Sequence, residues 1–237
     1  LTLWLFIAIA TWLLFAALCR IVATTSPRPG DLAVGFAHWV MKFYVKLVHP
    51  TTLSGEGNIP TGGGPLIVVC NHTAGIDPAL VQARCGFLIR WMMAKDMMLP
   101  QYREFWEWSE VISVDRQARS DTGSAREAIR HVKGGGVLGV FPEGGIERPA
   151  GEFKPFMQGV GLIVARTDAP VLPVFIRDTP DVPQAWDSLW TPSRPRVAFG
   201  KVLRFAQGTT PAAITRELEA WFRVTSGWKS SSPAGNQ

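Results

Sequence analysis

The chain has 237 residues, a formal charge of +5 and 47% hydrophobic residues, enough for one domain with a substantial core plus an appendage. Its three cysteines lack paired spacing, which argues against a disulfide framework and a zinc site, and its basic residues are spread out rather than gathered in a run suited to nucleic acid. Ten tryptophans beside a net positive charge suit a surface resting on anionic lipid.

In chain order, residues 1–19 carry no charge and leave no polar face. At ~1.5 Å per residue this run is just long enough for a ~30 Å hydrocarbon layer. A cleaved signal peptide is the competing reading, but a basic start and a small-x-small cleavage site are both missing from the run. Residues 31–49 place Leu32, Phe36, Trp39, Val40, Phe43 and Leu47 at helical spacing, with Lys42 and Lys46 one turn apart. That pattern predicts an amphipathic helix with a basic stripe, or else an ordinary core-packing helix. Together the two segments predict a membrane-anchoring two-helix hairpin over 1–49. Arg20 and Arg28 follow the apolar run, which puts the main domain on the cytoplasmic face of the inner or cytoplasmic membrane.

From residue 50 short apolar runs alternate with helical stretches, the pattern of an α/β domain extending to 225. Strands are predicted near 51–55, 66–71, 87–93, 111–114, 136–141, 171–176 and 195–199. Helices are predicted near 78–85, 98–108, 121–133, 155–167 and 210–223. The fold class is therefore α/β, a mixed central sheet flanked by helices behind an N-terminal helical hairpin. Residues 226–237, rich in Ser, Gly and Pro, read as a flexible tail.

The chemistry concentrates after two of these strands. Asn71-His72-Thr73-Ala74-Gly75-Ile76-Asp77-Pro78 sets an imidazole and a carboxylate five positions apart, directly after the run 66–70. Asp77 reads as the N-cap and Pro78 as the first residue of a helix. A loop folding back to that helix brings the carboxylate to one ring nitrogen of His72 and leaves the other as a base. This is the orienter–base half of a catalytic triad without an enzyme nucleophile, so the substrate must bring its own hydroxyl. The alternative is a packed loop His beside a common helix cap. The second strand, 137–141, ends in Pro142, Glu143, Gly144 and Gly145, where an open α/β sheet presents its ligand crevice. A third ends in Asp115-Arg116, and a fourth run, 171–176, carries Pro173. Cys70 reads as core.

The four blocks NHTAGIDP (71–78), VISVDR (111–116), FPEGG (141–145) and PVLPVFI (170–176), in this order, resemble the glycerolipid acyltransferase family, whose best-known members are the 1-acylglycerol-3-phosphate (lysophosphatidate) acyltransferases. The resemblance covers roughly residues 51 to 200. It implies acyl transfer from a thioester, acyl-CoA or acyl carrier protein, to a lipid hydroxyl at a bilayer. No cofactor or metal is implied. His72 would act as base and Asp77 as its orienter. Arg116 would meet the acceptor phosphate, with Asn71 beside the base as a further substrate-binding position and Asp115 a candidate to orient Arg116. Glu143 is assigned to positioning, through acceptor hydroxyls or a neighbouring Arg, and the amides of Gly144 and Gly145 to negative charge. Pro173 matches an apolar strand that lines the acyl site, or is simply an edge proline in a core strand.

Two departures bear on the acceptor. Where many members continue with Thr-Arg, this chain has Gly145 and Ile146, and Arg148 is the nearest substitute. Met157 stands where a basic residue is common, with Lys154 close by. Another lysophospholipid or a lyso-aminolipid therefore stays open as acceptor. Outside this chemistry the rival classes are a metal-dependent hydrolase using His72, Asp77 and Glu143 as ligands, and a non-enzymatic membrane scaffold.

Overall fold

In the computed structural model, residues 2–116, 122–146 and 151–230 are described. Two helices lead, α1 (Thr2–Thr24) and α2 (Leu32–Val48), followed by β1 (Thr52–Ser54), β2 (Leu66–Cys70), α3 (Asp77–Gln82), β3 (Ile89–Ala94), α4 (Arg103–Ser109) and β4 (Ile112–Val114). Then come α5 (Thr122–Lys133), β5 (Val137–Val140), β6 (Glu152–Phe153), α6 (Gln158–Thr167), β7 (Val171–Arg177), β8 (Arg196–Phe199), α7 (Pro211–Ser226) and β9 (Lys229–Ser230).

The main sheet has seven strands in the order β1-β8-β7-β2-β5-β3-β4. The five strands from β7 to β4 are parallel. β8 runs antiparallel to β7, and β1 pairs parallel with β8. The sheet is thus mixed, with helices on both faces. All five residues of β2 are buried, as expected for a central strand covered on both sides. Leu66, Val68 and Cys70 point into one core with Leu80 of α3 and Val45 of α2. Ile67 and Val69 point into the other, with Val132 of α5, Ile163 of α6 and Leu218 of α7. The two-residue period of the strand thus divides one apolar run between two cores. The parallel strands all end at one edge of the sheet, where the loops after β2, β3, β4, β5 and β7 meet.

Several boundaries differ from expectation for local reasons. The helix predicted over 98–108 starts at Arg103, because Pro100 opens a separate 3₁₀ turn, Pro100–Tyr102. The helix predicted from 155 starts at Gln158, since the Met157 N–H is bonded to Pro142 O at 2.8 Å. Pro173 lies inside the sheet between β8 and β2 rather than at an edge. It sits where β8 gives out at Gly200, whose N–H still reaches Pro173 O at 2.8 Å. Residues 226–230, assigned by sequence to the flexible tail, continue the fold. Gly227 (φ 69°) caps α7, β9 pairs with β6, and the Trp228 ring packs 5.1 Å from Phe153.

α1 is long and apolar enough to cross a membrane, with a mean hydropathy of 2.3 over its best window and almost no burial. α2 is two-faced. Val34, His38 and Val45 turn inward, with Met41 packed against the core. The stripe expected from the sequence, Leu32, Phe36, Trp39, Val40, Phe43 and Leu47, faces outward and is exposed. The core-packing alternative for that stripe is therefore not what the structure contains. The two helices touch where Gly35 meets the backbone of Val22, and Trp39 Nε1 donates to Thr25 Oγ1 at 3.1 Å.

Helix α6 packs on α7 through Gly161, where an added Cβ would lie 2.1 Å from Pro211 O. Alanine is favoured over glycine in a helix by about 1 kcal/mol, but here it meets backbone that cannot rotate away. We expect Gly161→Ala to lower stability by about 1–3 kcal/mol in urea unfolding.

Candidate active site

The loop between β2 and α3 is built around one buried carboxylate. Asp77 is 0% exposed. Its Oδ2 accepts from the N–H groups of Thr73 (2.6 Å) and Ala74 (2.9 Å), and its Oδ1 from Thr73 Oγ1 at 3.1 Å. The expected N-cap role is not taken: the cap position falls on Ile76, Asp77 and Pro78 open the helix, and the carboxylate turns back into the preceding loop. That turn brings Oδ2 to 3.0 Å from His72 Nδ1. An ionised carboxylate only accepts, so Nδ1 carries the proton and Nε2 keeps the lone pair. Nε2 has no hydrogen-bond partner among the described residues, and the His72 side chain is 18% exposed.

The ring is held from its flat side as well. His72 stacks on Phe141 (centroids 4.0 Å, 19°), and Phe141 stacks on Trp91 (4.9 Å, 14°). Asn71, expected to touch substrate, is fully buried. Its side-chain amide donates to Ile176 O at 2.8 Å and accepts from Ile176 N–H at 2.7 Å, extending the β2–β7 pairing by one rung. Both its polar atoms are thereby spent on the backbone.

Glu143 is also buried, at 6% exposure. Oε1 accepts the His72 N–H at 2.9 Å and Oε2 the Lys154 N–H at 3.1 Å. Instead of facing acceptor hydroxyls or an Arg, it ties the base loop to β6. Burial pushes its carboxyl up from 4.5 to about 7, against the lowering effect of those two N–H groups and the Lys154 charge.

Arg116 reaches the same edge from β4. Its Nη2 lies 2.5 Å from Asp96 Oδ2, and its Nη1 donates to Gly144 O at 3.1 Å. Asp96, from the turn after β3, thus pairs with Arg116 and lines up the guanidinium, a role the sequence suggested for Asp115. Gly144 (φ 69°) donates its N–H to Phe141 O at 3.1 Å, closing a turn, so this amide is not free for an anion. An added Cβ at Gly144 would lie 2.5 Å from Met157 Sδ, and one at Gly145 3.3 Å from Arg116 Nη1. Lys154 turns its Nζ to Ile146 O at 2.7 Å. Arg148 lies outside the described residues.

Sequence reasoning missed Thr73, Phe141, Trp91 and Asp96. The first two lie inside the quoted blocks or at their border, but no spacing rule assigns them a partner. The other two act across the sheet. Cys70 is no candidate nucleophile: burial, then the nearby Asp77 charge and Cys85, hold its thiol well above the ordinary range. The carboxylates of the metal-hydrolase alternative, Asp77 and Glu143, spend their oxygens on N–H donors. Among the described residues no group of three His, Cys, Asp or Glu side chains is placed to hold a metal ion. The arrangement is an oriented base opening onto a sheet edge with a guanidinium nearby.

A family model described as Acyltransferase matches residues 50–177, more than half of the chain. A 1-acyl-sn-glycerol-3-phosphate acyltransferase from Borreliella burgdorferi is 30% identical over 132 residues, 54% of this chain and 51% of that protein. A protein described as a putative 1-acyl-sn-glycerol-3-phosphate acyltransferase from Caenorhabditis elegans is 29% identical over 128 residues, 50% of this chain and 43% of its own length. The chain thus spans about half the length of the curated relatives it matches. Among solved structures, the 1-acyl-sn-glycerophosphate acyltransferase PlsC from Thermotoga maritima superposes with a TM-score of 0.65 at 20% identity, covering 88% of this chain and 87% of that one.

A carboxyl whose folded pKa exceeds its unfolded value holds its proton longer when folded. Its stabilising contribution is complete below the unfolded pKa and is lost as pH rises through the folded one. For Glu143 that window runs from 4.5 to about 7. The stability of wild type relative to Glu143→Gln should fall across this window and level off above it, as read by urea unfolding at a series of pH values.

Proposed function

Since the chain belongs to the acyltransferase family, we propose that it moves a fatty acyl group from an acyl thioester, acyl-CoA or acyl carrier protein, to the free hydroxyl of 1-acylglycerol-3-phosphate, giving phosphatidate for phospholipid synthesis. The observation that carries this reading is the His72–Asp77 contact, with Nε2 left unpartnered among the described residues. Nε2 takes the proton of the acceptor hydroxyl as its oxygen attacks the thioester carbonyl, and Asp77 stabilises the imidazolium that forms. Collapse of the tetrahedral intermediate expels the thiolate, and the imidazolium returns the proton to it. No acyl-enzyme is needed. Arg116, held by Asp96 beside the Gly144 turn, offers its remaining donors to the acceptor phosphate. α1 crosses the bilayer or lies in it, α2 rests its outward stripe there, and Arg20 and Arg28 keep the catalytic domain on the cytoplasmic face.

One observation favours a second acceptor. The Asp96 carboxylate already offsets the Arg116 charge, and Gly145 and Ile146 bring no further cation, so a lysolipid with a less charged headgroup also fits.

Purified protein given labelled acyl-CoA and a panel of lysolipids, with products identified by mass, tests the reading. Phosphatidate should be the main product; a dominant product from another lysolipid would replace the acceptor, and no transfer to any lysolipid would overturn the proposal. His72→Ala should lower kcat by roughly a hundred- to ten-thousand-fold. Asp77→Asn, which loses the acceptor that sets the tautomer, should fall within the same range.

A further inference from the structure

The mechanism leaves unused a chain of contacts leading from α2 to the base loop. At the end of α2, Tyr44 donates its hydroxyl to Leu189 O and lies 3.1 Å from His49 Nε2. With the Tyr44 proton committed to that carbonyl, its oxygen accepts from Nε2–H, and His49 Nδ1 accepts from Ser193 Oγ at 2.8 Å. His49 is 0% exposed, and Ser193 N–H reaches Val48 O at 3.3 Å. The last turn of α2 is thus fastened to residues 189–193 by three polar links.

The same segment is pressed against the catalytic loop. Its 3₁₀ turn Ala185–Leu189 lies so close to Gly75, between His72 and Asp77, that an added Cβ would be 2.4 Å from Ala185 O and 3.2 Å from Ser188 Oγ. Just before it, Thr179 Oγ1 donates to Thr73 Oγ1 at 2.8 Å, and Thr73 in turn bonds Asp77. Within the stretch fastened to α2, directly after the 3₁₀ turn, the segment turns one large side chain to the outside: Trp190 is 80% exposed. Along α2, Tyr44 follows Val40 by four residues and precedes Leu47 by three, so these outward residues neighbour the attachment point. Arg194 and Lys46, both exposed, respectively follow Ser193 and precede Leu47 in the chain and add positive charge.

We propose that residues 178–193 form an interfacial strut. Trp190 enters the headgroup layer of an anionic phospholipid bilayer beside α2, and the contacts at Gly75 and Thr73 pass this docking to the His72–Asp77 loop. The occupant is a bilayer because Trp190 follows Leu189, which is bonded to Tyr44 of α2, because the outward face of α2 is apolar and exposed, and because Lys46 and Arg194 beside the attachment are exposed cations, the environment an indole prefers. Trp190, Tyr44 and Thr179 are then positioning residues, acting through the loop. The proposal rests on the bilayer association and acyl transfer described above.

The test uses the full chain in two settings: reconstituted in phosphatidylcholine–phosphatidylglycerol vesicles with a long-chain lysophosphatidate, and in detergent with a short-chain, water-soluble one. Trp190→Ala should lower the ratio of vesicle to detergent kcat/KM about tenfold, and Trp190→Phe should restore most of it. Tyr44→Phe should lower kcat in vesicles while KM and co-sedimentation with them stay at wild-type values. Equal losses in both settings would mean a merely structural role and overturn the strut, as would an unchanged ratio for Trp190→Ala. Wild-type protein that neither co-sediments with vesicles nor acylates any lysolipid would overturn the underlying reading itself, and that result is seen before any variant is made.

Discussion

A carboxylate wholly removed from water is costly unless every lone pair finds a donor. Asp77 meets that requirement locally, from two backbone N–H groups, a hydroxyl and an imidazole, all within residues 72–74. The geometry of the catalytic loop is set by this one constraint. To bring three consecutive residues around a single side chain, the loop must close tightly between β2 and α3, and His72 is left with a fixed ring plane and one proton position. The aromatic stack on Phe141 and Trp91 then limits the ring to motion in its own plane.

The sheet supplies the frame for this loop. β2 is the middle strand of the seven, with a parallel strand on each side, so the base emerges where the loops after its neighbours converge. Asn71 prolongs the β2–β7 pairing to the last residue before His72, and the base therefore hangs from a rigid strand end rather than a free loop. On the other flank Arg116 and the Gly144 turn are linked by a guanidinium–carbonyl bond. This holds a cation against the turn that follows β5, at the same sheet edge as the base.

Much of this is legible in the sequence where a signal is local. Continuous apolar runs mark β2, β5 and β7, and the pairing of His72 with Asp77 is suggested by a five-residue spacing around small residues. Signals that depend on distant partners are not legible. Nothing in the order of residues tells that Asp96 meets Arg116, that Glu143 accepts two N–H groups from separate segments, or that β8 reverses beside β7. In α2 the helical period reveals the exposed stripe, but both faces are apolar, so periodicity cannot say which one packs. Residues 226–230 read as tail because small polar residues dominate the C-terminal stretch, while Trp228 alone carries the packing information.

Glu143 joins the amides of His72 and Lys154 through one side chain. Neither segment can pull away without leaving a buried carboxyl short of a donor, which raises the free energy of opening for both. The two amides are therefore expected to behave as one cooperative unit in native-state hydrogen exchange. They would report a common opening free energy despite lying 82 positions apart in the chain.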